Sequence, residues 1–120
     1  MLADRMSKNK VDCWLVNTGW TGGKYGTGSR CPLKFTRRII DAIHSGELAK
    51  ADYENFGTFN LSIPTALEGV PLELLNPRKA WANKEAFERE VRKLAGMFRK
   101  AFALYEKEVE EKVRLAGPQF

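Results

Sequence analysis

Five of the chain's ten glycines fall within ten positions, 19–28. They lie in NTGWTGGKYGTGSR (17–30), after the apolar run VDCWLV (11–16) and before CPLKFT (31–36), where a helical pattern begins. Glycine admits positive φ and lets a backbone approach another group closely, so this density dictates a loop between a strand-like run and a helix. Strand, glycine-rich loop and helix in that order often hold an anion or a nucleotide. The loop is not a dinucleotide fingerprint, because no G-x-G-x-x-G opens a helix. It is not a P-loop, because G-x-x-x-x-G-K-[ST] is absent and Lys24, the loop's single lysine, is followed by Tyr25. Pattern alone leaves a structural turn and a ligand-facing loop evenly matched.

Periodicity assigns the rest of the chain. VDCWLV is mostly apolar and alternates poorly, which predicts a strand buried on both faces of a parallel or mixed sheet, with Cys13 as a small buried residue inside it. Residues 2–9 read as the end of a helix, with Leu2, Ala3 and Met6 on one face. Phe35, Ile39, Ile40 and Ile43 predict a helix over 34–44, closed by Ser45 and a left-handed Gly46, with His44 in the last turn, where a cation suits the dipole. Residues 50–82 read as mostly irregular, with a short strand in FNLSIP (59–64) stopped by Pro64. A brief helix PLELL (71–75) is broken by Asn76 and Pro77. Trp81 reads as a packed tryptophan beside snorkelling Arg78 and Lys79.

The longest pattern is helical. Asn83 is placed to cap it, with Glu85 and Glu88 in its first turns. Phe87, Val91, Leu94, Phe98, Phe102, Tyr105, Val109 and Val113 step by four or three residues as one apolar stripe, which predicts a single long C-terminal helix ended by Gly117 and Pro118. Glu85–Arg89, Glu88–Arg92, Glu108–Lys112 and Glu110–Arg114 are favourable i,i+4 pairs on its other faces. Gly96 costs about 1 kcal/mol against alanine and marks a bend or a close approach.

Composition narrows the class. With 43% hydrophobic and 29% charged residues, the chain reads as an ordinary globular one. No apolar run nears the ~20 residues that span a bilayer. MLADRMSKNK lacks a signal peptide's apolar centre, so the cytoplasm is the expected location and no membrane partner is expected. A net charge of +5 favours anionic partners, but basic and acidic residues are interspersed, which favours a solvated surface over nucleic-acid binding. Cys13, Cys31 and the lone His44 make no zinc pattern, and the thiols are expected to be reduced. One buried strand and one short strand do not make a stable sheet, and a strand buried on both faces needs neighbours at each edge. The expected fold is therefore α/β, a mixed α+β fragment whose missing strands lie upstream or in another chain.

The residues themselves add a resemblance. NTGWTGGKYGTGSR closely resembles the loop of ATP-dependent phosphoenolpyruvate carboxykinases, which usually reads near L-V-N-T-G-W-T-G-G-x-Y-G-x-G-K-R. The likeness continues through TRRIIDAIHSGEL (36–48), FNLSIPTALEGVP (59–71), LNPRKAWANKEAF (75–87) and LAGPQF (115–120). It covers nearly the whole chain in order and matches the last part of an enzyme several times longer. It implies that residues 1–120 are the C-terminal segment of a nucleotide-binding carboxykinase domain, with a lone buried strand, the glycine-rich loop and the long C-terminal helix.

That family converts oxaloacetate and ATP to phosphoenolpyruvate, ADP and carbon dioxide, with Mg²⁺ on the nucleotide and Mn²⁺ at the substrate. By the resemblance, the loop's closing arginine, the next residue and a threonine at the following helix start contact ATP, which correspond to Arg30, Cys31 and Thr36. Arg30 offers a fork of donors and a planar face, Cys31 its backbone, and Thr36 a hydroxyl. Surface arginine and helix-start threonine are the plain alternatives. Ser29 stands where the family commonly has lysine, and Lys24 where it often has proline, which moves one cation along the loop. The family's P-loop, its metal-binding lysine, histidine and aspartate, and its oxaloacetate-binding arginine lie upstream of the matched region. No catalytic or metal-binding residue is therefore expected here, and the chain is expected to be inactive without the N-terminal portion. Two other readings are a stand-alone nucleotide- or nucleic-acid-binding module, with Trp14, Trp20 and Tyr25 stacking bases near Lys24 and Arg30, and an interaction protein that docks through its long helix.

Overall fold

Short polar and proline signals set most of the element boundaries. The computed structural model describes residues 2–119. Helix α1 (Leu2–Asn9) ends as Lys10 turns left-handed at φ 48°, its N–H donating to the Met6 carbonyl. Two-residue strands β1 (Trp20–Thr21) and β2 (Ser29–Arg30) flank the glycine loop and pair antiparallel, Trp20 opposite Arg30 and Thr21 opposite Ser29. Helix α2 (Leu33–His44) follows Pro32 directly and ends in Gly46 at φ +77°, the left-handed closure expected of that residue.

The stretch read as irregular holds a hairpin instead. Strand β3 (Tyr53–Phe56) pairs antiparallel with β4 (Leu61–Pro64), and the register sets Phe56 opposite Leu61 and Tyr53 opposite Pro64. Strand β4 is the expected short strand, although Phe59 and Asn60 belong to the turn. Its partner was hidden because YENF (53–56) has little apolar alternation. The turn supplies the missing signal: Asn60 sits left-handed at φ 50° and its Oδ1 accepts from Asn55 Nδ2 at 2.9 Å. Helix α3 (Leu72–Leu75) follows Pro71, and Asn76 ends it. The Asn76 Oδ1 then accepts from the Arg78 N–H and starts α4 (Pro77–Ala80).

Helix α5 (Lys84–Phe102) starts as expected, with Asn83 Oδ1 accepting from the Ala86 N–H at 2.9 Å. Only its first half finds a core: Phe87, Val91 and Ala95 are buried, whereas Leu94, Met97 and Phe98 are exposed. The single helix expected through Val113 breaks at Phe102, into a turn, a 3₁₀ turn (Glu106–Glu108) and a short α6 (Glu111–Leu115). Beyond Phe98 the stripe has little to bury against, and amphipathic helices owe most of their stability to packing. Nothing lies within 4 Å of a Cβ built at Gly96, so the expected close approach is absent. Glu88 pairs with Arg78 rather than Arg92, and Glu110 with Lys112 rather than Arg114.

Two packed groups hold the chain together. Ala42, Leu48, Leu67 and Val70 form one, flanked by Trp14, Phe35, Ile39 and Ile43. An aromatic chain forms the other, running Trp81, Phe87, Phe56, Phe59, Phe98 with ring centroids about 6 Å apart and mostly edge-to-face.

The strand predicted for VDCWLV does not form. Residues 11–18 adopt no regular structure, Leu15 is 84% exposed, and Cys13 is exposed rather than buried. A strand is completed by its neighbours' N–H and C=O groups, and among the described residues none is hydrogen-bonded to this segment's backbone. The lone buried strand is thus corrected to an open segment. The mixed α/β class stands, built from helices and two small antiparallel pairs.

Candidate functional site

The glycine loop is a closed, tightly built turn. The Thr27 and Gly28 N–H groups both donate to the Lys24 carbonyl, at 3.0 and 2.9 Å. Gly22, Gly23 and Gly26 have φ of +76°, +149° and +86°, a region that L side chains rarely adopt. A Cβ at Gly28 would meet the Thr21 and Gly23 carbonyl oxygens, each at 2.4 Å. The entry is fixed by Asn17, whose Oδ1 accepts from the Gly19 N–H at 2.9 Å, and the exit by Cys31, whose N–H donates to the Gly19 carbonyl at 3.0 Å. Trp20 and Tyr25 meet edge-to-face at 5.1 Å, and Tyr25 is exposed. Trp14 packs away from them, beside Tyr53 at 6.3 Å.

The loop delivers the chain to the start of α2, where the three expected contact residues lie. Arg30 ends β2 and is exposed, and its guanidinium has no hydrogen bond or ion pair among the described residues. Cys31 is half-buried, with Sγ 3.8 Å from Thr36 Oγ1, so these two positions are side by side. Thr36 is the fourth residue of α2, at the end of its first turn, because Pro32 starts the helix one residue before the expected Lys34.

The helix start also offers something that residue types alone did not reveal. Pro32 gives α2 no side-chain cap. The Phe35 and Thr36 N–H groups donate to the Pro32 carbonyl, and those of Leu33 and Lys34 donate to nothing among the described residues. Open N–H groups at the positive end of a helix dipole favour an anion. The first turn holds no acidic residue, and Lys34 and Arg37 lie beside it. The absence of Ser, Thr, Asp or Asn before Leu33 was the signal in the sequence.

Other polar features are structural. Arg38 Nη2 donates to both Glu47 carboxylate oxygens, at 2.7 and 2.8 Å, and this hydrogen bond raises the guanidinium's pKa. Lys112 beside Glu110 holds that carboxyl below its usual range. Among the described residues, no three His, Cys, Asp or Glu side chains cluster to hold a metal ion, and no helix is long and apolar enough to cross a membrane.

Comparison with known proteins defines the family. A family model described as phosphoenolpyruvate carboxykinase matches residues 1–73. A curated phosphoenolpyruvate carboxykinase (ATP) of Bradyrhizobium diazoefficiens is 50% identical over 118 residues, covering 98% of this chain and 22% of the relative. Those of Neurospora crassa and Emericella nidulans are each 52% identical, covering 98% of this chain and 20% of the relative. The chain belongs to the phosphoenolpyruvate carboxykinase family. It spans about a fifth of the length of the curated relatives it matches.

Proposed function

We propose that this chain is the C-terminal, nucleotide-contacting segment of an ATP-dependent phosphoenolpyruvate carboxykinase domain of the cytoplasm. The complete enzyme, on the family resemblance, turns oxaloacetate and ATP into phosphoenolpyruvate, ADP and carbon dioxide. Arg30, Cys31 and Thr36 are the ATP contacts in this reading, Cys31 through its backbone. The observation that carries it is that Arg30, whose guanidinium has no partner among the described residues, lies three residues before the uncapped start of α2, a combination that attracts a polyanion. Transfer of a phosphoryl group needs such fixed cations and N–H dipoles. Mg²⁺ and Mn²⁺ belong to the complete enzyme and would neutralise charge on nucleotide and substrate there. Oxaloacetate, the metal ions and the chemical step are assigned to the N-terminal portion, so the 120 residues alone are inactive.

Arg30→Ala tests the assignment in the assembly formed with an N-terminal portion of a relative. A charge-assisted hydrogen bond contributes about 1.5–3 kcal/mol, so ATP affinity falls by about tenfold or more. The melting temperature of the chain stays unchanged, because Arg30 is exposed and unpaired among the described residues. Unchanged ATP affinity removes Arg30 from the site.

A further inference from the structure

We propose that Lys84 is a positioning residue for the glycine loop: it holds the end of α4 against which Gly22 rests, and through the β1–β2 pair it sets where Arg30 stands. The proposal rests on the reading of Arg30 as an ATP contact and names what keeps that contact in place. Helix α4 has four residues, too few to be stable by its own hydrogen bonds, and the carbonyls at its end lack helical partners. Lys84, the first residue of α5, supplies donors to them. Its Nζ donates to the Arg78 carbonyl at 2.6 Å and to the Trp81 carbonyl at 2.8 Å. A lysine at the first position of a helix opposes that helix's dipole, and the two carbonyls are what it gains there. Arg78 also pairs with Glu88, one turn further along α5, so α4 is tied to α5 at two points.

Ala80 lies between Arg78 and Trp81 in sequence, and its carbonyl oxygen is 3.0 Å from where a Cβ at Gly22 would stand. Gly22 is also left-handed at φ +76°, so glycine there answers both the conformation and the close approach. The contact passes directly into the strands that close the loop. Gly22 follows Thr21, which pairs with Ser29, and Trp20 pairs with Arg30. The Cys31 N–H, next along, donates to the Gly19 carbonyl. A shift of α4 at Ala80 therefore moves the pair that carries Arg30 and leads to Cys31.

The test is a set of variants followed by amide NMR spectra of the 120-residue chain and by Mg-ATP titration of its assembly with the N-terminal portion of a relative. Lys84→Met keeps the apolar stem and removes the donors. The expected result is displaced amide signals at Gly22, Gly23 and Arg30 with helix content retained, and ATP affinity in the assembly weaker by about three- to tenfold. Lys84→Arg keeps donors and restores both. Lys93→Met, at an exposed position of the same helix, changes neither. Gly22→Ala works from the other side and displaces the amide signals of residues 80–84. Gly26→Ala carries comparable strain at φ +86° but meets nothing within 4 Å among the described residues, and leaves those signals in place. Loop amides that stay put in Lys84→Met, or ATP affinity that holds although they move, overturns the proposal. Equal displacement of residues 80–84 by the two glycine variants also overturns it. If Lys84→Met loses helix content, the two glycine variants decide. If the unaltered assembly binds no Mg-ATP, the functional reading falls, and the amide signals alone decide whether Lys84 places the loop.

Discussion

Gly28 and Gly96 show how differently one residue type is constrained within this chain. At Gly28 the obstacle is space, because two backbone oxygens occupy the place of a Cβ and neither belongs to a flexible side chain. Gly28→Ala must therefore open the β1–β2 pair, at a cost of about 1–3 kcal/mol. The expected readout is loss of the near-ultraviolet circular dichroism of the Trp20–Tyr25 contact, with α-helix content retained. At Gly26 the obstacle is conformation: the position is open but its φ is +86°, so Gly26→Ala costs about 1–2 kcal/mol through strain alone. A Gly28→Ala protein with an unaltered aromatic spectrum contradicts this account of the loop. The three proposed nucleotide contacts follow directly on that loop, so its closure bears on their placement. Arg30 and Thr36 enter the proposed site through the resemblance to the family's motif. The uncapped N–H groups of Leu33 and Lys34 were legible only as a missing capping residue.

At the scale of elements, packing decided what propensity left open. Helix α5 holds Gly96 with empty space around it, so Gly96→Ala stabilises the chain by about 1 kcal/mol, read as a rise in urea midpoint. The 3₁₀ turn before the hairpin (Leu48–Lys50) gives a pH-dependent prediction. The Tyr53 hydroxyl donates to the Leu48 carbonyl at 2.7 Å, and partial burial raises its pKa above the ordinary 10.0. A group whose folded pKa is raised contributes stability that is complete below its unfolded pKa and fades as pH climbs through the folded value. Stability should therefore hold to about pH 9–10 and fall above it. Tyr53→Phe removes the tyrosine share of that fall, measured by urea titration at pH 7 and pH 11. The same rule of packing separates the readable elements from the unreadable. Helix α2 and the start of α5 were legible because periodicity, cap and core agree. Strand β3 was not, because its alternation is weak and its pairing is set by the Asn55–Asn60 turn. Residues 11–18 and the second half of α5 were read from apolar patterns that are present, yet the surfaces those patterns require are not among the described residues.

The whole molecule carries the same signature of unfinished packing. Its radius of gyration is 15.9 Å, against about 13–14 Å for a compact chain of this length. Among the described residues no large side chain is fully buried, while Leu15, Leu104, Tyr25 and Met97 are well exposed. Such a surface suits a chain made to be covered, in keeping with its span of about a fifth of its relatives' length. The central claim, that these residues supply the ATP-facing edge of a carboxykinase completed by other polypeptide, is tested most directly by one calorimetric titration. Mg-ATP is titrated into the purified chain, alone and after addition of the N-terminal portion of a relative, with phosphoenolpyruvate formation followed in parallel. Heat of binding and turnover that appear only in the mixture are the predicted result. Tight ATP binding by the chain alone, unchanged by the added portion and without turnover, would contradict the account and mark an independent nucleotide-binding module.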